Sequence, residues 1–225
     1  LDNFCWASCE KRENLGALVH AAVACYDGAK AYRTPFVSGK DSLSNQLRYT
    51  DPATGEARLI EIPPTLLITG MAIVADVSRC VSMDAKQPGN VLLLVSEMPR
   101  VDLVKGPATA KLVASLIARG LVTSAHDCSE GGVLTAVAEM LIAGDGPQRI
   151  GAELSPAIAA SDAAAFAFSE EPSRYVLEVS ADRARDVQAA CAAAGVAAVT
   201  LGTLNATGVL TWGAATVRIE VGELA

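Results

Sequence analysis

The sequence predicts an α/β fold of mixed α+β character, with helices layered on sheets. Three observations carry that expectation. Segments with apolar residues at helical spacing, at 15–32, 109–119, 133–143 and 182–194, alternate with short branched apolar runs at 65–74, 91–95, 174–179, 196–201 and 208–212. Hydrophobic residues make up 51% and charged residues 19% of the 225, which supplies a sizeable core and argues against disorder. Aromatics are only 4%, so the core is built from small and branched side chains.

Each element has its own local warrant. Leu15, Leu18, Val19, Ala22, Cys25, Tyr26 and Ala29 recur every three or four residues and give one apolar helical face, which Pro35 brings to an end. Residues 50–58, with Asp51-Pro52 and Gly55, read as a turn between two strands. The run 65–74 follows Pro63-Pro64 and reads as a buried strand with Gly70 inside it. Residues 76–89 are polar and close on Pro88-Gly89, so a domain boundary is expected there, dividing 1–87 from 88–225. Residues 91–95 read as a second buried strand, and helices follow over 109–119 and 133–143. In 174–179, Tyr175, Leu177 and Val179 alternate with Val176 and Glu178, a strand pattern. Asp182 opens a helix that Gly195 ends, strands follow at 196–201 and 208–212, and Val217, Ile219 and Val221 alternate near the C-terminus.

Composition excludes several function classes. The formal charge of −7, without a dense arginine patch or interleaved aromatics, argues against a nucleic-acid surface. No apolar run reaches membrane-spanning length, and no basic leader precedes a cleavage-like site. Cys5, Cys9, Cys25, Cys80, Cys128 and Cys191 are scattered, as expected of reduced thiols in a cytoplasmic protein. Cys5 and Cys9 lack a second pair or a suitably spaced histidine to complete a zinc set. The sequence starts at Leu1 without a methionine, as an excised or processed piece would.

Two polar segments carry candidate chemistry. Gly39-Lys40-Asp41-Ser42 looks like the end of a Walker motif, but Thr34 stands where its first glycine belongs and Asp41 separates the lysine from the hydroxyl. The P-loop reading is rejected, and no dinucleotide-binding glycine fingerprint occurs. A simpler phosphate loop remains: Lys40 supplies charge, Gly39 close backbone approach, Ser42 a hydroxyl, and Asp41 an oxygen for magnesium. A hydrated surface turn is the competing reading of the same four residues. His126-Asp127-Cys128-Ser129-Glu130-Gly131-Gly132 gathers an imidazole, carboxylates, a thiol and two glycines just before a helix. Unpaired N–H groups at a helix start favour phosphate or metal-bound oxygen. The structural alternative is that Asp127 or Ser129 caps the helix and the glycines form a turn. Cys128 is a candidate reactive thiol. Asp2-Asn3 and Ser169-Glu170-Glu171-Pro172-Ser173-Arg174 are further polar clusters.

Five pieces in order now identify a resemblance: 1–6, 34–45, 63–68, 125–132 and 168–175. Together they resemble phosphoribosylformylglycinamidine synthase, in the C-terminal part of its synthetase subunit, within the aminoimidazole-ribonucleotide-synthetase-like superfamily. The resemblance spans nearly the whole chain. It implies a partial second synthetase N-domain over 1–87, followed by the second C-terminal α/β domain over 88–225. The implied reaction turns formylglycinamide ribonucleotide into formylglycinamidine ribonucleotide. ATP phosphorylates the amide oxygen, ammonia from a glutaminase subunit or domain attacks the carbon, and phosphate leaves.

The resemblance also implies roles. Gly39, Lys40, Ser42, His126, Ser129, Gly131 and Gly132 fall on the nucleotide or phosphate side. Asp2, Asn3, Asp41, Asp127 and Glu170 fall on the magnesium side. Mg2+ with ATP or ADP is the implied cofactor set, and no catalytic residue is assigned. Cys5-Trp6-Ala7-Ser8 and Glu171-Pro172-Ser173-Arg174 depart from the family pattern. The implied partners are the N-terminal synthetase half and the glutaminase component, and the piece alone is expected to be inactive. An open sheet edge would favour self-association. Two alternatives stand beside this reading: another ATP-dependent synthetase of the same superfamily, or a non-catalytic half that holds ADP.

Overall fold

A computed structural model describes residues 1–95, 100–144, 149–155, 162–213 and 217–224. The chain forms two compact units, Leu1–Val74 and Ala75–Ala225.

In the first unit, β1 (Asp2–Cys5) leads through α1 (Arg12–Tyr32) to β2 (Gly39–Ser42). The chain continues through β3 (Gln46–Thr50), β4 (Ala57–Glu61) and β5 (Thr65–Ile68). β1 is central in a three-stranded sheet, parallel to β2 and antiparallel to β5, while β3 and β4 form a separate hairpin. The expected turn closes that hairpin: Asp51 Oδ1 accepts the Ala53 N–H at 2.9 Å, and Gly55 takes φ 73°. α1 stops at Tyr32, where Arg33 enters the left-handed region and its N–H bonds back to the helix carbonyls.

Burial in this unit departs from expectation. The apolar face of α1 is present, but Leu15, Val19, Val23 and Tyr26 remain 47–61% exposed and no α1 residue is buried. The run at 65–74 pairs as a strand only over Thr65–Ile68, and Leu67 and Ile68 are 59% and 50% exposed. The run has the composition of a two-faced buried strand, yet β5 pairs with β1 alone and three of its four residues are exposed. The segment expected to be a phosphate loop, 39–42, is strand β2.

The second unit opens with a 3₁₀ turn, Val77–Arg79, and a polar strap, then β6 (Val91–Val95), α2 (Lys105–Ala118), β7 (Ser124–Asp127) and α3 (Gly132–Ile142). β8 (Gly151–Leu154), α4 (Ala163–Phe168), β9 (Tyr175–Val179) and α5 (Ala184–Ala193) follow. β10 (Ala198–Asn205), β11 (Val209–Trp212), β12 (Val217–Glu220) and α6 (Val221–Leu224) complete it. One seven-stranded sheet runs β12-β11-β8-β10-β6-β9-β7, antiparallel except for β8 against β11.

Helices cover both faces of that sheet, which explains its continuous apolar runs. Leu92, Leu94 and Val176 pack on the α3 side with Val133, Val137 and Met140. Leu93, Val95, Leu177 and Val179 pack on the other side with Val113 and Leu116 of α2 and Val187 and Cys191 of α5. Successive strand residues point to opposite faces, so a strand covered twice has no polar alternation to show.

The strap is the reason the units divide at Val74/Ala75 and not near residue 87. Ala85 N–H donates to the Met140 carbonyl, Gly89 N–H to the Leu204 carbonyl and Ala125 N–H to the Ser82 carbonyl. Hydrogen bonding thus holds 82–90 on the second unit, although its polar composition reads as a linker.

Candidate functional site

Strand pairing brings four of the predicted residues on 39–42 beside Asp2 and Asn3. The register of β1 and β2 sets Asp2 against Gly39, Asn3 against Lys40, Phe4 against Asp41 and Cys5 against Ser42. Neighbours in register share a face of a sheet, and residues alternate along a strand. Asp2 and Asp41 therefore lie on one face, Asn3, Lys40 and Ser42 on the other. Lys40 Nζ donates to Ser42 Oγ at 2.7 Å, and the Cys5 thiol donates to Asn3 Oδ1 at 3.2 Å. A Cβ on Gly39 would lie 2.1 Å from Asp2 Oδ1, so a larger residue there would push the Asp2 carboxylate aside. This splits the expected loop chemistry, because Lys40 and Asp41 of one strand cannot face one ligand from the same side. An open apolar hollow of about 660 Å³ in this unit, bordered by Leu1, Cys25, Tyr32, Leu66, Ile68 and Met71, includes none of the predicted site residues.

In the second unit, His126 and Asp127 end strand β7, and Gly131 and Gly132 begin α3. His126 is nearly enclosed, its side chain 12% exposed, with Nε2 2.9 Å from Glu139 Oε2 and Nδ1 3.3 Å from Asp127 Oδ1. Both ring nitrogens face carboxylates, which ties the imidazole in place and leaves neither nitrogen directed at an open reaction space. Glu139 was not singled out from the sequence; its signal is that it is the one charged residue in α3.

The start of α3 differs from the expected open cluster of N–H groups. Gly131 N–H donates to Glu170 Oε1 at 2.9 Å, and Gly132 N–H donates to the Ser129 carbonyl at 3.1 Å. Neither Asp127 nor Ser129 caps through its side chain; Gly131 is the N-cap, at φ 78°. Glu170 is drawn there because an anion is favoured at a helix start. Gly132 sits at φ 72°, and a Cβ on it would lie 2.7 Å from the carbonyl oxygens of Ala167 and Ser169. The structure thus brings Ser129, Gly131, Gly132 and Glu170 together, with His126 and Asp127 at the strand end that leads into them.

Cys128 does not fit a reactive role. Its thiol is buried and pushed up to about 11, chiefly by desolvation, with Arg174 lowering and Asp127 raising it by smaller amounts. At neutral pH it stays a protonated, poorly nucleophilic thiol. All six cysteines are free.

The alternation pattern conceals a residue that accepts four hydrogen bonds. Glu178 on β9 is fully buried. Its Oε2 accepts from Lys86 N–H at 2.9 Å and Ser124 Oγ at 2.8 Å, and its Oε1 from Gln87 N–H at 3.1 Å and Asn90 Nδ2 at 2.6 Å. It joins the strap to the strand that carries His126. Among the described residues, no three His, Cys, Asp or Glu side chains cluster as a metal site, and no helix is long and apolar enough to cross a membrane. Asp127 and Glu170 offer exposed carboxylates with oxygen donors of the kind magnesium prefers.

Comparison with known proteins follows the same outline. The chain is 32% identical over 216 residues to the phosphoribosylformylglycinamidine synthase subunit PurL of Methylocella silvestris, covering 87% of this chain and 27% of that protein. The chain thus spans about a quarter of that relative's length. Two solved structures of T. maritima PurL share the fold over 100% of this chain. The one complexed with ADP aligns at a TM-score of 0.68 and 16% identity, with 36% of its own length covered. The one complexed with FGAR aligns at 0.66 and 14%, with 38% covered. The family described as AIR synthase related protein, C-terminal domain, matches residues 78–213. That match takes in more than half of the chain, which therefore belongs to the AIR synthase related protein family.

Proposed function

We propose that this chain is a part of the synthetase subunit of a phosphoribosylformylglycinamidine synthase, an ATP-dependent carbon–nitrogen ligase of purine biosynthesis. The observation that carries the reading is the 32% identity to a PurL subunit along 87% of the chain, through both compact units. In this reading the first compact unit, Leu1–Val74, belongs to the second synthetase N-domain and the second, from Ala75, to the second C-domain. The remaining synthetase sequence and a glutaminase supply the rest of the active site and the ammonia, in the cytoplasm. The isolated piece makes no amidine.

The placement of the candidate residues supports the following roles. Lys40 and Ser42, on one face of β2, bind phosphate oxygen, with Asn3 beside them. Asp2 and Asp41 offer carboxylates on the opposite face. At the second unit, Gly131 and Gly132 let the backbone turn tightly into α3, with Ser129 alongside, while Asp127 and Glu170 present oxygen to a cation and His126 fixes the strand end. Magnesium held with the nucleotide would neutralise phosphate charge. The fixed donors of the chain orient the nucleotide and need no rearrangement when charge develops on the substrate oxygen.

Calorimetric titration of the synthetase carrying this chain tests the reading. MgADP is expected to bind, and Lys40→Ala to weaken it about tenfold, the loss of one charge-assisted phosphate contact. Wild-type binding without any effect of Lys40→Ala or His126→Ala on affinity, turnover or stability would overturn the site assignment.

A further inference from the structure

We infer that Arg174 is a positioning residue that sets the Glu170 carboxylate on the turn that starts α3. The observations lie in one short segment. α4 ends at Phe168, and the last carbonyls of a helix have no partner within it. The Arg174 guanidinium, only 4% exposed, takes up two carbonyls of this segment: Nη1 donates to Ser169 O at 2.9 Å and Nη2 to Phe166 O at 3.4 Å. It also lies 5.7 Å from the centre of the Phe166 ring and 3.6 Å from Glu171 Oε2. Ser173, at φ 62°, turns the chain back so that the guanidinium can reach.

The same carbonyl segment is what Gly132 packs against, since a Cβ there would strike Ala167 O, Phe168 C and Ser169 O. Glu170 directly follows Ser169 and bonds Gly131 N–H. Arg174 also acts from the other side, because its own carbonyl accepts the Cys128 N–H at 2.9 Å. One residue thereby fixes the segment that carries Glu170 and the segment that leads from Asp127 to Gly131. A planar guanidinium can bridge two carbonyls, whereas one ammonium on a flexible stem cannot hold the same fork. That Glu170 serves a magnesium-bound nucleotide rests on the function proposed above; that Arg174 places it does not.

The test is amide exchange at Gly131, followed by NMR in the 225-residue chain without nucleotide. Glu170→Ala removes the acceptor and is expected to speed that exchange about tenfold. Arg174→Lys is expected to do the same while amides in the middle of α3 and β9 keep their rates. The double variant is expected to go no further, because both changes break one contact. Additive effects, an unchanged Gly131 rate in Arg174→Lys, or uniform acceleration through α3 and β9 would overturn the inference. Should Arg174→Lys fail to fold, Phe166→Leu leaves both carbonyls and loosens the guanidinium. It is expected to raise the Gly131 rate severalfold, and an unchanged rate there overturns the inference as well. A MgADP titration of the synthetase carrying the same variants separates the two ideas. Altered exchange with unaltered MgADP affinity upholds the role of Arg174 and removes Glu170 from the nucleotide site.

Discussion

Glu178→Ala is expected to destabilise the second unit by about 3–5 kcal/mol, since four donors lose their acceptor and each buried unsatisfied group costs roughly 1–3 kcal/mol. Relief from burying a carboxylate offsets part of that sum. The donors are Lys86 N–H, Gln87 N–H, Asn90 Nδ2 and Ser124 Oγ. They come from the strap and from β7, so the loss is local before it is global. Glu178→Gln keeps one good acceptor but turns an amide NH₂ towards backbone donors, and an intermediate loss follows. Denaturant midpoints measure both, and hydrogen exchange is expected to accelerate first at 82–90 and 124–127. A loss under about 1 kcal/mol for Glu178→Ala would mean that the network is surface decoration.

Gly132→Ala is the second large effect, about 3 kcal/mol or more, because strain of about 1–3 kcal/mol from a left-handed non-glycine residue adds to a steric clash. The clash is with backbone carbonyls, which have no rotamer in which to escape. Gly120→Ala is the internal control: its φ is 66°, but its Cβ would meet nothing within 4 Å. It is expected to cost only the conformational part, about 1–2 kcal/mol. Thermal melts of the two variants check the difference. Equal costs would show that the 167–169 segment yields easily, which would also weaken the case for a rigid seat under Glu170.

How far the sequence reveals this architecture depends on whether a feature is local. β6 and α3 are readable because four or more consecutive residues report one environment: Leu92 to Val95 are all buried, and Val133, Ala136, Val137 and Met140 follow one helical face. α2 begins four residues before its expected start at 109, and α5 two residues after Asp182. Both shifts are at ends, where capping and not apolar spacing decides. Residues 39–42 read as a loop because glycine, lysine, aspartate and serine are poor strand formers. What makes 39–42 a strand is the backbone of β1, a partner more than thirty residues away. β7 was missed for the same reason, its backbone hydrogen bonds being made to β9.

The candidate polar residues are legible in the sequence as a list and not as a geometry. Gly131, Gly132, His126, Asp127 and Glu170 stand at or beside the start of α3. That Glu170 already occupies Gly131 N–H, and that Lys40 and Asp41 fall on opposite faces of β2, depends on pairing across the fold. Glu178 was hidden because one carboxylate in an alternating strand has the pattern of a solvent-facing position. Its burial is offset by donors from residues 86, 87, 90 and 124, none close in sequence. The exposed apolar residues of α1 and β5 follow the converse logic. Their composition records a buried environment that their own unit does not provide.

The turn at 126–132, with Glu170 bonded to Gly131 N–H, is proposed to hold a magnesium-associated nucleotide in the synthetase to which this chain is proposed to belong. Hydrogen exchange of that synthetase with and without MgADP tests it most directly. Exchange is expected to slow about tenfold at 126–132, because ligand contacts suppress local opening. Saturating MgADP that leaves 126–132 at its ligand-free rates, with protection elsewhere, would rule that role out.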